Sequence, residues 1–161
     1  MKSSLEVAVI GLAAVAASLG TWMAGGRPSG LPEAELAETA LRPGEVRLST
    51  LREQGLEGIL WVDARKESAW MEDGLEGSIH LTIQSDESLG AQVERHFEKL
   101  AVAKRVVVYC DDLHCSLSHD LAKALGDMEL VPGEILVLQG GMTALRQAGM
   151  ITDSSPGSGS R

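Results

Sequence analysis

The sequence predicts an α/β domain, a parallel sheet with helices on both faces, preceded by one amino-terminal transmembrane helix. Strand-like and helix-like segments alternate through the middle of the chain, which implies parallel pairing through right-handed crossovers. One of them, Arg105–Tyr109 (RVVVY), is an unbroken β-branched run of the kind a strand buried on both faces shows. Aromatic residues make up only 3% of the chain, so the core must be built from Leu, Val, Ile, Ala and Met. That suits helices over a small sheet better than an aromatic-rich sandwich.

The 161 residues allow one domain plus appendages. Residues 1–24 open the chain, and 7–24 (VAVIGLAAVAASLGTWMA) are almost all apolar or small. With Leu5 the stretch approaches the roughly 20 residues that cross a bilayer. Lys2 precedes it and Trp22 stands at its far end, where interfacial aromatics sit. It reads first as a retained signal anchor, against a cleaved signal peptide with Ser18-Leu19-Gly20 near the cut, or a buried core helix. Lys2 before it and Arg27 after it give little charge asymmetry, and long domains cross largely regardless of charge. The expected product is a single-pass membrane protein with its domain outside the cytoplasm, in the periplasm if the source is a double-membrane bacterium. Residues 25–44, with Gly25, Gly26, Pro28, Gly30, Pro32 and Pro43, read as a linker that could hold a short helix within 33–41. The tail 152–161 (TDSSPGSGSR) reads as disordered.

The domain proper is then 45–151. Its strand candidates are 59–62 ending at Asp63, 78–83, 105–109 and 135–138, with an edge strand at 46–48. Helical patterns cover 92–100, 116–125 and 142–148. The net charge of −9, with no Lys/Arg cluster, excludes a nucleic-acid binder, whose affinity comes mostly from neutralising phosphates.

Chemistry is expected at the carboxyl ends of the strands, where parallel sheets bind ligands. The strongest strand runs into Cys110-Asp111-Asp112-Leu113-His114-Cys115-Ser116, and Ser116 is a plausible N-cap for the next helix. Backbone N–H groups and a helix start near Cys110 would stabilise a thiolate, which makes Cys110 a candidate nucleophile. A small buried cysteine at a strand end is the bland alternative. Cys110 and Cys115 are the only cysteines, so no multi-disulfide scaffold is present.

Four pieces in order resemble the rhodanese-like domain family. Residues 59–65 (ILWVDAR) resemble its strand ending in Asp-x-Arg, and 77–81 (GSIHL) the second half of its Gly-His-Ile-Pro-Gly-Ala-Ile-Asn signature. Residues 106–110 resemble the strand entering its reactive cysteine, and 137–141 with Gly149 its closing Gly-Gly segment. The resemblance implies a five-stranded parallel sheet. It also implies that Cys110 takes up a persulfide and that Asp111, Asp112, Leu113, His114 and Ser116 cradle the sulfur. Asp63 and Arg65 would support that loop from the neighbouring strand, and Arg65 could contact substrate directly.

The departures bear on activity. Cys115 stands where active members commonly carry an arginine that holds the anionic donor. Asp111 and Asp112 add negative charge that opposes both anion binding and thiolate formation. Gly74 and Glu76 stand in for the signature's histidine and proline, and Met142 and Leu145 for tryptophans that commonly follow Gly-Gly. These changes argue against thiosulfate turnover. Cys115 then reads as a bystander or as a resolving thiol. In an oxidising compartment a reversible, easily reduced Cys110–Cys115 disulfide is expected if the loop curls, and none if Cys115 points outward. A metal reading through Cys110, His114, Cys115 and His119 matches no standard spacing, so no metal or cofactor is expected. His80 and His96 have no evident partner. Two functions remain in view: a sulfur-transfer or thiol-redox domain working on a sulfur donor and acceptor or a thiol protein, and a catalytically idle module that binds a partner or senses redox state.

Overall fold

In the computed structural model, residues 39–111 and 115–151 are described. The elements in chain order are β1 (Glu45–Val46), α1 (Leu48–Gln54), β2 (Ile59–Asp63), α2 (Glu67–Asp73), β3 (Ile79–His80), α3 (Leu89–Arg95), α4 (Phe97–Leu100), β4 (Arg105–Tyr109), α5 (Leu117–Asp127), β5 (Glu134–Leu138) and α6 (Gly141–Gln147). The five strands form one parallel sheet in the order β1-β5-β4-β2-β3.

The run in β4 explains its central place. Val106 and Val108 point into one apolar cluster, with Val62, Ile79 and Leu81 from the sheet side and Leu100, Leu121 and Leu125 from α4 and α5. Val107 and Tyr109 point into the other, with Trp61 and with Leu48 and Leu51 of α1 and Met142 and Leu145 of α6. Period-two alternation thus fills both faces of the sheet from one strand. Helices cover both faces, and each fully buried aliphatic side chain contributes about 1.5–3 kcal/mol.

Several elements differ from the sequence reading. Leu48 opens α1 instead of closing β1, because its side chain packs with Leu51 under the sheet. The strand expected over 78–83 pairs only at Ile79 and His80, with Leu81 N–H still reaching Asp63 O at 3.1 Å. Beyond it the buried amide of Gln92 takes over, accepting from Thr82 N–H and donating to Thr82 O, both at 2.9 Å. The helix expected over 92–100 starts earlier, at Leu89 after a Ser88 cap, and breaks at His96.

The linker reading of 25–44 is described from Thr39 onward. There Thr39 O accepts from Arg47 Nη2 at 2.9 Å and Gln139 Nε2 at 3.1 Å, and Gly44 O accepts from Val137 N–H. This end of the segment is bonded to the domain. The apolar stretch 7–24, the short helix weighed within 33–41 up to residue 38, and the tail 152–161 lie outside the described residues. Among the described residues no helix is long and apolar enough to cross a membrane.

Candidate active site

Register brings the site together. Asp63 of β2 lies level with Tyr109 of β4 on one side and His80 of β3 on the other. The residues that leave these strands, Arg65 and the Cys110 loop, therefore emerge side by side at the carboxyl edge of the sheet.

Cys110 is 1% exposed. Its carbonyl accepts a 2.8 Å hydrogen bond from Met142 N–H at the start of α6. Gly141 makes that approach possible: a Cβ there would lie 2.2 Å from Cys110 O, and its φ of +48° favours glycine as well. The Gly-Gly segment is thus a backbone wall against the cysteine.

Cys110 and Cys115 are joined by a disulfide, with Cα atoms 6.3 Å apart. That spacing lies within the ordinary range for a bridge. Asp112, Leu113 and His114, the middle of the expected cradle, lie outside the described residues. Ser116 occupies the N-cap position of α5 but makes no side-chain capping bond; its backbone is already helical, at φ −80° and ψ −18°.

Asp63 and Arg65 form a buried pair, 0% and 4% exposed. Arg65 Nη2 donates to Asp63 Oδ2 at 2.8 Å and Nε to Asp63 Oδ1 at 3.1 Å. Arg65 Nη1 donates to Asp73 Oδ1 at 2.9 Å, and Asp73 also binds Arg146 of α6. The same Nη1 lies 3.8 Å from Asp111 Oδ1. Burial opposes the guanidinium charge, but hydrogen bonds and charges from Asp63 and Asp73 outweigh it and raise its pKa above the ordinary value. Arg65 Nη2 also reaches Ala69 O at 3.4 Å, so its hydrogen bonds run to Asp63, Asp73 and this carbonyl while the side chain stays 4% exposed.

Tyr109 completes the floor. Its hydroxyl accepts from Leu75 N–H at 3.0 Å and donates to Ser78 Oγ at 3.3 Å, which also receives Trp70 Nε1. Burial, with the nearby Asp63 charge, raises its pKa above the ordinary value, so it acts as a neutral hydroxyl. Gly74, standing where the family signature has histidine, is held against Trp70: a Cβ would meet Trp70 O at 2.5 Å.

His80 has a partner the sequence did not suggest. Its Nε2 lies 2.7 Å from Arg65 O, and because a carbonyl only accepts, Nε2–H donates. Its ring stacks on Trp70. A cavity of about 140 Å³ opens beyond His80, lined also by Lys66, Thr82, Ser85, Glu87 and Arg95. Neither cysteine lines it. His119, a candidate ligand on sequence grounds, has Nε2 3.2 Å from Glu45 Oε1 of β1. Among the described residues no group of His, Cys, Asp or Glu is placed to hold a metal ion.

Asp73 and Arg146 were missed from sequence. Their partners lie 8 and 73 residues away, and no local spacing signals such pairs.

The family model for the Rhodanese-like domain matches residues 48–148, and the chain belongs to this family. No curated protein matches it. Among solved structures, it is similar to a thiosulfate sulfurtransferase from Pseudomonas aeruginosa, at 24% identity and a TM-score of 0.50, covering 77% of this chain and 24% of that one. It is also similar to a rhodanese-related protein from Thermoplasma volcanium, at 17% identity and a TM-score of 0.48, covering 67% and 96%. A protein from Bacillus halodurans gives 22% identity and a TM-score of 0.49, covering 65% and 72%. At 24% identity the likeness to the Pseudomonas enzyme concerns the fold alone, and the chain spans about a quarter of that enzyme's length.

Proposed function

We propose that this is a sulfur-transfer domain with a built-in thiol-redox step, Cys110 being the nucleophile and Cys115 the resolving thiol. The observation that carries the reading is the Cys110–Cys115 bond on the loop where the family places its reactive cysteine. In the reduced protein the Cys110 thiolate attacks the outer sulfur of a persulfide donor. It takes that sulfur as Cys110–S–SH and releases the donor's thiolate. The Cys115 thiolate then attacks Cys110 Sγ, forming the disulfide and expelling hydrosulfide. A dithiol, or a thiol protein acting as one, supplies two electrons and two protons to reset the pair. The partners are accordingly a persulfide donor and a thiol reductant. Cys115 in place of an arginine, with Asp111 beside Cys110, disfavours a small dianionic donor.

The test is the intact mass of the reduced full-length chain after brief exposure to a persulfide donor. One added sulfur is expected on the Cys115→Ser variant and none on Cys110→Ser. No adduct on any form, with Cys110 unreactive to alkylation, would favour the idle binding module instead.

For location, the apolar stretch 7–24 supports a single-pass tether with the domain outside the cytoplasm. A reporter active only in the cytoplasm, fused at Arg161, should be silent; a strong signal would overturn this orientation.

A further inference from the structure

We infer that Arg65 is a positioning residue that, through Asp111, sets the redox balance of the Cys110–Cys115 pair, an inference that rests on these cysteines cycling as proposed. Arg65 is fixed on two sides, by Asp63 through Nε and Nη2 and by Asp73 through Nη1. Its side chain is 4% exposed, whereas that of Asp111, 3.8 Å from Nη1, is 68% exposed. The arginine is therefore the buried, multiply bonded partner and Asp111 the exposed one. Asp73 in turn is bound to Arg146 of α6, the helix whose first turn holds Cys110 O. One charged chain thus connects the wall behind Cys110 with the residue directly after it.

This arrangement acts on the disulfide equilibrium in two ways that share a sign. Holding Asp111 restrains the start of the loop, which raises the effective concentration of one cysteine for the other and favours the bonded form. Holding a carboxylate next to Cys110 also penalises the thiolate that reduction can leave there, again favouring the bonded form. Reduction by a dithiol breaks the Sγ–Sγ bond, delivers two electrons and two protons to the pair, and closes the reagent's own disulfide. Removing the Asp111 charge and the latch together should shift that exchange towards the dithiol.

The experiment equilibrates the full-length chain with dithiothreitol at graded ratios of reduced to oxidised reagent, traps free thiols by alkylation, and reads the oxidised fraction by mass. Asp111→Asn, a surface change that should fold, is expected to lower the equilibrium constant for the disulfide about tenfold, the scale of a unit charge acting at close range near a protein surface. Asp111→Glu should recover part of that loss. Asp73→Asn serves as the comparison: it weakens the anchoring of Arg65 but leaves the Asp111 charge, so a smaller shift of the same sign is expected. A merely structural role would lower thermal stability in these variants without moving the equilibrium constant. If wild type forms the disulfide and Asp111→Asn matches it within twofold, the latch is wrong while the proposed function stands. If wild type forms no disulfide under any ratio, the latch falls together with the resolving role of Cys115.

Discussion

Replacing Arg65 by alanine is expected to destabilise the domain by about 3–5 kcal/mol, the usual consequence of leaving one half of a buried ion pair behind. The reason lies in what remains. Asp63 is 0% exposed and would lose the hydrogen bonds from Nε and Nη2, keeping the one from Arg65 N–H at 2.9 Å. Asp73, 15% exposed, would lose the Arg65 guanidinium that neutralises it and keep the more exposed Arg146. Since whole domains are stable by only about 5–15 kcal/mol, this one change consumes a large share of the total. Urea unfolding monitored by circular dichroism measures it. The double variant Asp63→Asn with Arg65→Met should regain part of the loss, because no buried charge at position 63 is then orphaned. A loss under about 1 kcal/mol for Arg65→Ala would mean that the pair is solvated in solution and that the buried network does not hold the domain together.

The parts of this fold that were legible from sequence are those whose signal is local. β4 is buried on both faces, so it had to be a continuous apolar run, and it reads as one. The same strand points to Cys110, since the loop after a central parallel strand lies at the ligand edge. Asp63 and Arg65 sit two residues apart and the Gly-Gly segment is contiguous, so both could be read as motifs. α2 was invisible for the opposite reason: none of its residues is fully buried, so it carries no apolar period. α1 offered only Leu48 and Leu51, one contact spacing, after an Arg47 that makes no side-chain cap. Gln92 ended β3 early from ten residues downstream, which no strand pattern can reveal. The charged chain through Asp73 and Arg146 depends on α2 and α6 meeting, so it became visible only with the fold. Whether the loop would curl or point Cys115 outward was likewise undecidable from spacing, because five residues can do either.

The same loop geometry carries the second large effect, on chemistry instead of stability. On the proposed function, a persulfide on Cys110 has two fates, transfer to an outside acceptor or displacement by a thiol inside the loop. In the bonded form the Cα atoms are 6.3 Å apart, an ordinary bridge spacing, so the chain can bring the inside thiol to Cys110. An intramolecular attack of this kind competes with external acceptors at millimolar or higher effective concentration. In wild type the persulfide should therefore be short-lived, and hydrosulfide should leave as the disulfide closes. In Cys115→Ser the sulfur should stay on Cys110 until an external thiol removes it.

The most direct measurement is a single turnover with reduced full-length chain in excess over a persulfide donor, monitored at once for released hydrosulfide and for protein mass. Wild type should release close to one hydrosulfide per donor sulfur and lose two mass units as the disulfide forms. Cys115→Ser should release at least tenfold less and carry one added sulfur, given the effective concentration that a short flexible connection provides. Equal hydrosulfide release from wild type and Cys115→Ser, with no disulfide in wild type, would contradict the resolving role of Cys115 and leave Cys110 to act alone.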